Sequence, residues 1–430
     1  MTSATPPPSL GVVLRPGSDG RVSSTRIGQD VVAVAAAAAD MDLSDCVRGY
    51  SRWHRDYIEA YRALLTSAAH DAHGAAAMSK AGAEELIRQA GIQDEDEMVS
   101  VAEGFSRPNE PLYDTLVAGG QAMRERDFSV PYQGRRLFGD ELRAQLNRWV
   151  DRGIAEPSFA EAVELVMDNP DWLDLSDVDV AVMGAGAEMG PTRSLLRWGA
   201  RVHAVDLPRP ALWQRLLDTT RVTAGTLHLP IQQGTMPSKW RDGYRLNLDD
   251  DAQAAALAGA DLLGKAPQVR DWFARIQRPM VVGNYTYADG VTHVRLSVAA
   301  DAIMTDLAQR FLGSTMAYLA TPTDVFMVPE EAVIESRRRW QHRGAGRMLQ
   351  APLRLARQFA PNYPTTVTTT TGRIVGVNDA LVRQQGPNYA LAKRFQRWRA
   401  TTLRDQGHRV SLNIAPATRT ESVVKNKALA

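Results

Sequence analysis

Residues 178–206 constrain this chain more than any other stretch. A short apolar run over 178–183, rich in β-branched residues, is followed by Gly184, Gly186 and Gly190. A helix-forming segment then runs through Trp198, and Arg201-Val-His-Ala-Val205 ends on Asp206. Strand, glycine turn, helix, strand and acid in that order make a βαβ unit, because parallel strands need a crossover between them. Glycines let the turn approach a bound pyrophosphate, and a carboxylate ending the second strand accepts both ribose hydroxyls while repelling a 2′-phosphate. The segment predicts a dinucleotide site on Gly184, Gly186, Gly190 and Asp206, with NAD favoured and NADP second. S-adenosylmethionine sites use the same turn and acid, so this segment leaves that cofactor open.

Downstream, strands are expected over 244–248 and 280–284, helices over 211–220, 251–263 and 296–311, and a strand and loop over 315–328, broken at Pro322. Alternating strands and helices predict an α/β fold: a Rossmann-like doubly wound parallel sheet over 176–430, with an insertion at about 296–364. The threonine-rich stretch 365–371 and the run 372–377 read as a strand or hairpin arm. Upstream, apolar residues recur at three and four spacing over 46–67, 83–91, 111–126, 140–153 and 159–167. That periodicity predicts an all-helical N-terminal domain over 31–175, preceded by a flexible tail over 1–30. Trp53, Tyr57 and Tyr61 lie four apart and form one core-facing stripe.

Net charge is +1, which gives no field to steer the chain onto nucleic acid, and no such motif is present. The single Cys46 excludes an internal disulfide and a cysteine-based zinc cluster. His70 and His73 lack a carboxylate at ligand spacing and read as surface residues. No transmembrane run and no secretory signal are found, so a cytoplasmic protein is expected.

Tyr389 and Lys393 stand four apart, on one helix face. A nearby ammonium lowers a phenol's pKa from about 10, making it a proton donor and acceptor near neutrality. With six lysines against 44 arginines, the basic residue here is one of the few whose pKa burial can tune.

With the glycine loop, this pair and the run Arg409 to Thr420 in hand, residues 177–420 resemble the short-chain dehydrogenase/reductase family. The resemblance implies several further roles. Asn247 and Leu248 fall in its acidic turn at the adenine edge, Asn284 falls near its Asn-Asn-Ala-Gly stretch, and Pro416 and Thr418 fall behind the nicotinamide. Tyr389 would exchange a proton with a carbonyl or alcohol, and Lys393 would hold the nicotinamide ribose. The family's serine falls on Asp379, beside Asn378, either of which would orient the substrate oxygen. Departures are Met183 and Glu188 within the glycine loop, the missing serine, Ala417 in place of a glycine, and the long insertion.

The expected activity is therefore an NAD(P)-dependent oxidoreductase interconverting a carbonyl and an alcohol. The alternatives are an S-adenosylmethionine-dependent methyltransferase and a catalytically silent nucleotide-binding protein. Arg337, Arg338, Arg339, Arg343, Arg347, Arg354 and Arg357 alternate with apolar residues inside the insertion. That basic amphipathic region suits a solvated helix face, a peripheral membrane contact, or a lipid-like or anionic small-molecule substrate. A homo-oligomer is expected.

Overall fold

The computed structural model describes residues 11–94, 97–342, 352 and 362–416. Thr418, Ala417 and most of the basic region beyond residue 342 lie outside the described residues. The chain divides into two compact units. One comprises Met1–Gly104, Ala288–Asp301 and Tyr318–Ala430, the other Phe105–Tyr287 and Ala302–Ala317.

The first unit opens with β1 (Gly11–Leu14), α1 (Ser24–Ala37), α2 (Met41–Gly49), α3 (Trp53–His70), α4 (Ala72–Arg88), β2 (Ala90–Gln93) and β3 (Met98–Val99). Side chains set the helix starts: Ser23 accepts from the Arg26 amide, Asp40 from Leu43, and Asp71 from His73 and Gly74. Trp53, Tyr57 and Tyr61 are all buried. The later segments of this unit supply β13 (Val325–Pro329), α13 (Glu330–Gln341), β14 (Thr365–Thr368), β15 (Ile374–Asp379), α14 (Gly386–Asp405) and β16 (Arg409–Ile414). Strands β13, β15 and β14 form a small antiparallel sheet. Helix α14 packs into the N-terminal helices so closely that a Cβ at Gly82 would lie 2.6 Å from the Trp398 ring.

The second unit and its borders hold α5 (Val101–Ser106), β4 (Tyr113–Gly119), β5 (Val130–Tyr132), β6 (Arg135–Leu137), α6 (Gly139–Asp151) and α7 (Pro157–Asp168). They continue with β7 (Asp179–Met183), α8 (Thr192–Arg197), β8 (Arg201–Val205), α9 (Pro210–Arg221), β9 (Thr226–Gln232), β10 (Tyr244–Arg245), α10 (Asp251–Leu257), α11 (Ala266–Ala274), β11 (Val281–Asn284), α12 (Gly290–Arg310) and β12 (Thr315–Ala320). The large sheet is eight-stranded and mostly parallel, in the order β10-β4-β9-β8-β7-β11-β12-β16. From β7 the chain builds through β8 to β9 on one side, then returns to place β11 on the other, all in parallel. Apolar side chains of these strands, among them Val182, Ala204 and Leu229, bury Trp213 and Leu217 of α9 in one core.

Four expectations need correcting. Residues 11–30 are not a flexible tail, because they hold β1, paired with β2, and the start of α1. Residues 31–175 are not an all-helical domain: the helices through α4 belong with the C-terminal segments, and 105–175 belongs to the second unit. There, 113–119 is a strand, because its buried residues pair with β9 in register instead of facing one side of a helix. The third parallel strand is β9, not 244–248. Pro230 masked its Leu227, Leu229 and Ile231 alternation, and it is tolerated because pairing with β8 covers 201–203 against 226–228 only. Tyr244 and Arg245 instead form a two-residue edge strand. No helix of the described residues is long and apolar enough to cross a membrane.

Candidate functional site

In the second unit, β7 lies where the chain's direction of travel across the sheet reverses, and such switch points leave a crevice beyond the strands' carboxyl ends. The glycine turn leaves β7 there. Gly184 has φ +80°, and a Cβ on it would sit 2.8 Å from the carbonyl carbon and oxygen of Tyr285. Only glycine meets both conditions. The Tyr285 amide bonds to the Met183 carbonyl, which ties this turn to the one following β11. Asn284, buried at the end of β11, shapes that second turn by accepting from the Thr286 amide and hydroxyl at 3.1 and 2.8 Å.

Asp206 ends β8 as expected, and its carboxylate already works within the protein. It accepts from the Gly186 amide at 2.8 Å and from the Leu207 amide at 2.7 Å. Burial pushes its carboxyl above the ordinary range, and these two amides pull it back. A carboxylate has about four acceptor positions, so two remain for a ribose diol. Gly190 closes the loop through its amide to the Ala187 carbonyl, and Glu188 is exposed. Helix α8 is only six residues long and has Pro191 as its N-cap, so it contributes little positive dipole. Asn247 and Leu248 follow the edge strand β10, not the third parallel strand. Asn247 caps a 3-10 turn reciprocally with Asp250, and Leu248 is exposed.

The chemistry expected of Tyr389 and Lys393 falls in the first unit, on α14. The phenol is not acidified: burial pushes Tyr389 up, with a hydrogen bond to Thr321 acting the other way and the Asp324 charge adding to the rise. Lys393 bonds to the Leu319 carbonyl at 3.3 Å and to Gln396 Oε1 at 3.2 Å. Gln396 in turn donates to Ser297 at 3.1 Å. Burial lowers Lys393 to about 8. The His293 ring meets the Tyr389 ring edge-on, 5.3 Å between centroids. Burial, and then the Lys393 charge, push that imidazole down to about 3, so it stays neutral.

Asp379 is exposed at the end of β15 and ion-paired with Arg62, and Asn378 lies opposite Phe326 within the small sheet. Pro416 is exposed just beyond β16. The hydroxyl beside Tyr389 is instead that of Thr321, which directly follows β12 and lies 2.8 Å from the Thr323 hydroxyl. Counting back from Tyr389 could not find it, because the small sheet intervenes. The usable signal was a threonine immediately after the strand at 315–320.

Compared with protein-family models, curated proteins and solved structures, the chain matches none.

Proposed function

We propose that the chain is an NAD-dependent oxidoreductase that interconverts a carbonyl and an alcohol on a Rossmann-like sheet. The observation that carries this reading is the hydrogen bond between Thr321 and Tyr389, with Lys393 one helical turn along. It supplies a hydroxyl partner where the resembled family's serine is missing. The strand order outward from β7, with Gly184 held at positive φ and Asp206 ending β8, supports an adenosine-bearing cofactor. The remaining acceptor positions of Asp206 fit the adenosine ribose.

Bound NAD would supply or accept a hydride. The chain's part is the proton. A phenol kept above its ordinary pKa is fully protonated at neutral pH, which suits donation from Tyr389 Oη to a developing alkoxide. Thr321 fixes the orientation of that hydroxyl, and the neutral His293 packs against the ring without competing for the proton.

One feature favours a second reading. A diphosphate finds only a six-residue helix and the Glu188 carboxylate in this loop, whereas S-adenosylmethionine carries no phosphate. Titration of the purified protein with NADH, NADPH, ADP-ribose and S-adenosylmethionine separates the two. Tight NADH and ADP-ribose binding, lost in Asp206→Ala, together with carbonyl reduction lost in Tyr389→Phe and weakened in Thr321→Val, supports the oxidoreductase. Binding of S-adenosylmethionine alone, unaffected by Tyr389→Phe, selects the methyltransferase. Nucleotide binding without turnover of a panel of carbonyls leaves a silent binding protein.

A further inference from the structure

The first unit holds a pocket away from both the glycine turn and the Tyr389 cluster. It opens where β1 ends, where α4 turns into β2 and where α5 begins, all within Met1–Gly104. Strand register explains why these ends meet. Leu14 pairs with Ala90 and Ile92 with Val99, so Arg15, Ala90 and Ser100 lie at one end of the small β1-β2-β3 sheet. The pocket measures about 330 Å³, which is at the lower end of the range for small-molecule sites.

Its walls are mostly carbon, supplied by Ile87, Ala90, Val101 and Ala102 beside Arg15 and Arg88. Among the described residues no acidic side chain lines it. The two arginines differ in what they already hold. Arg88 gives Nε and Nη2 to the two carboxylate oxygens of Glu85 at 2.7 and 2.5 Å, so its charge is met. Arg15 gives Nε to the Ala90 carbonyl at 2.9 Å, and its amide bonds to the Gln89 carbonyl at 2.7 Å. Among the described residues no carboxylate pairs with Arg15. These two bonds fix the half-buried side chain at the strand end and leave both terminal nitrogens of its guanidinium as a planar fork.

One uncompensated positive charge at a carbon-lined pocket selects a ligand with one negative charge and an apolar body. A carboxylate matches the planar fork with two parallel hydrogen bonds and balances the charge. A phosphate dianion would need a second cation, and the neighbouring one is held by Glu85. We propose that this pocket binds an amphipathic monocarboxylate, a single short acyl chain or one aromatic ring bearing an acid. Its head pairs with Arg15 and its body lies against Ile87, Val101 and Ala102. A guanidinium already fixed through Nε gives up little further freedom when the ligand arrives, so more of the contact energy appears as affinity. The site is independent of the oxidoreductase reading, because neither the glycine turn nor Tyr389 lines it.

Calorimetric titration of the full chain with octanoate, octyl phosphate and octanol, paired with methyl NMR, tests this. Octanoate should bind with a dissociation constant below about 1 mM. The methyl signals of Ile87, Ala90, Val101 and Ala102 should shift while those elsewhere stay in place. Arg15→Gln should weaken octanoate about tenfold or more, down to the affinity of octanol, because a charge-assisted contact is lost. Arg15 also ties down the end of β1, so Ala102→Trp, at an exposed position, supplies a second variant. Its indole fills the pocket and should abolish binding. Unchanged far-ultraviolet circular dichroism checks that both variants fold. No binding of octanoate in the stated range overturns the proposal, as does octanol binding equally tightly or octyl phosphate binding more tightly. Octanoate binding that survives Ala102→Trp lies elsewhere on the chain and overturns it equally.

Discussion

Replacing Gly184 with alanine should unfold the second unit far more readily than an ordinary glycine substitution. The residue sits at φ +80°, where an L side chain costs about 1–2 kcal/mol. Its added methyl would also stand 2.8 Å from Tyr285 C and O and 2.9 Å from the Thr286 amide nitrogen. These are backbone atoms, held by the Tyr285 amide bonded to Met183 and by the Asn284 side chain bonded to Thr286. They cannot swing aside as the end of a long side chain can, so overpacking adds about 1–3 kcal/mol. The sum is about 2–5 kcal/mol. Gly234 supplies the control: its φ is +81° and nothing lies within 4 Å of its built Cβ. Gly234→Ala therefore measures the backbone cost alone. Urea denaturation of both variants, followed by circular dichroism, gives the two losses on one scale. If Gly184→Ala costs no more than Gly234→Ala, the close approach of the two turns does not constrain the loop, and the account given for it fails.

Further predictions concern buried ionisable groups. Lys393 has a folded pKa near 8, below its ordinary 10.5, so the unfolded chain binds more protons between those values and wild-type stability should rise across that window. The gain, about 3 kcal/mol from the size of the shift, should vanish in Lys393→Met, checked by urea midpoints from pH 7 to above 10. At pH 7 that variant should be at least as stable as wild type, because a buried cation without a carboxylate partner is replaced by an apolar chain. His228 stacks on His203 with centroids 4.2 Å apart, and burial, then the His203 charge, push it down to about 3. Stability should therefore fall as pH drops from 6.5 toward 3, by about 5 kcal/mol at most, and His228→Phe should flatten that limb of the stability curve. Asp324 bridges the buried Arg394 and the partly buried Arg397, 2.5 Å from each. Asp324→Asn leaves these two guanidiniums without their carboxylate and should cost about 3–5 kcal/mol by thermal or urea unfolding.

Much of the sheet was legible because its strands carry their own signals. The run ending at Met183 is apolar apart from Asp179, its turn is glycine-rich, and the next strand stops at an acid. The hairpin arm at 365–377 announced itself through β-branched residues. What was not legible depended on partners far away in sequence. Residues 113–119 are buried mainly by pairing with β9, more than 100 positions later, and taken alone their spacing also suits a helix. The proline in β9 hid a strand that geometry accommodates beyond the reach of β8. For the candidate site, the glycines and Asp206 could be read locally. The environment of Tyr389 could not, because it is set by Thr321 across an inserted sheet, and the degree of burial decides the direction of its pKa. The spacing of Tyr389 and Lys393 correctly put both on one helix, but the ammonium finds its partners in Leu319 and Gln396 instead of acidifying the phenol.

The first unit is assembled from three separate stretches, with α14 closing against helices made more than 300 residues earlier. During synthesis the ribosome must complete the whole intervening sheet before Trp398 can meet Gly82. Until then the early helices expose the surface that this tryptophan will cover. Because each unit draws on separated stretches, no single break in the gene can yield either unit whole.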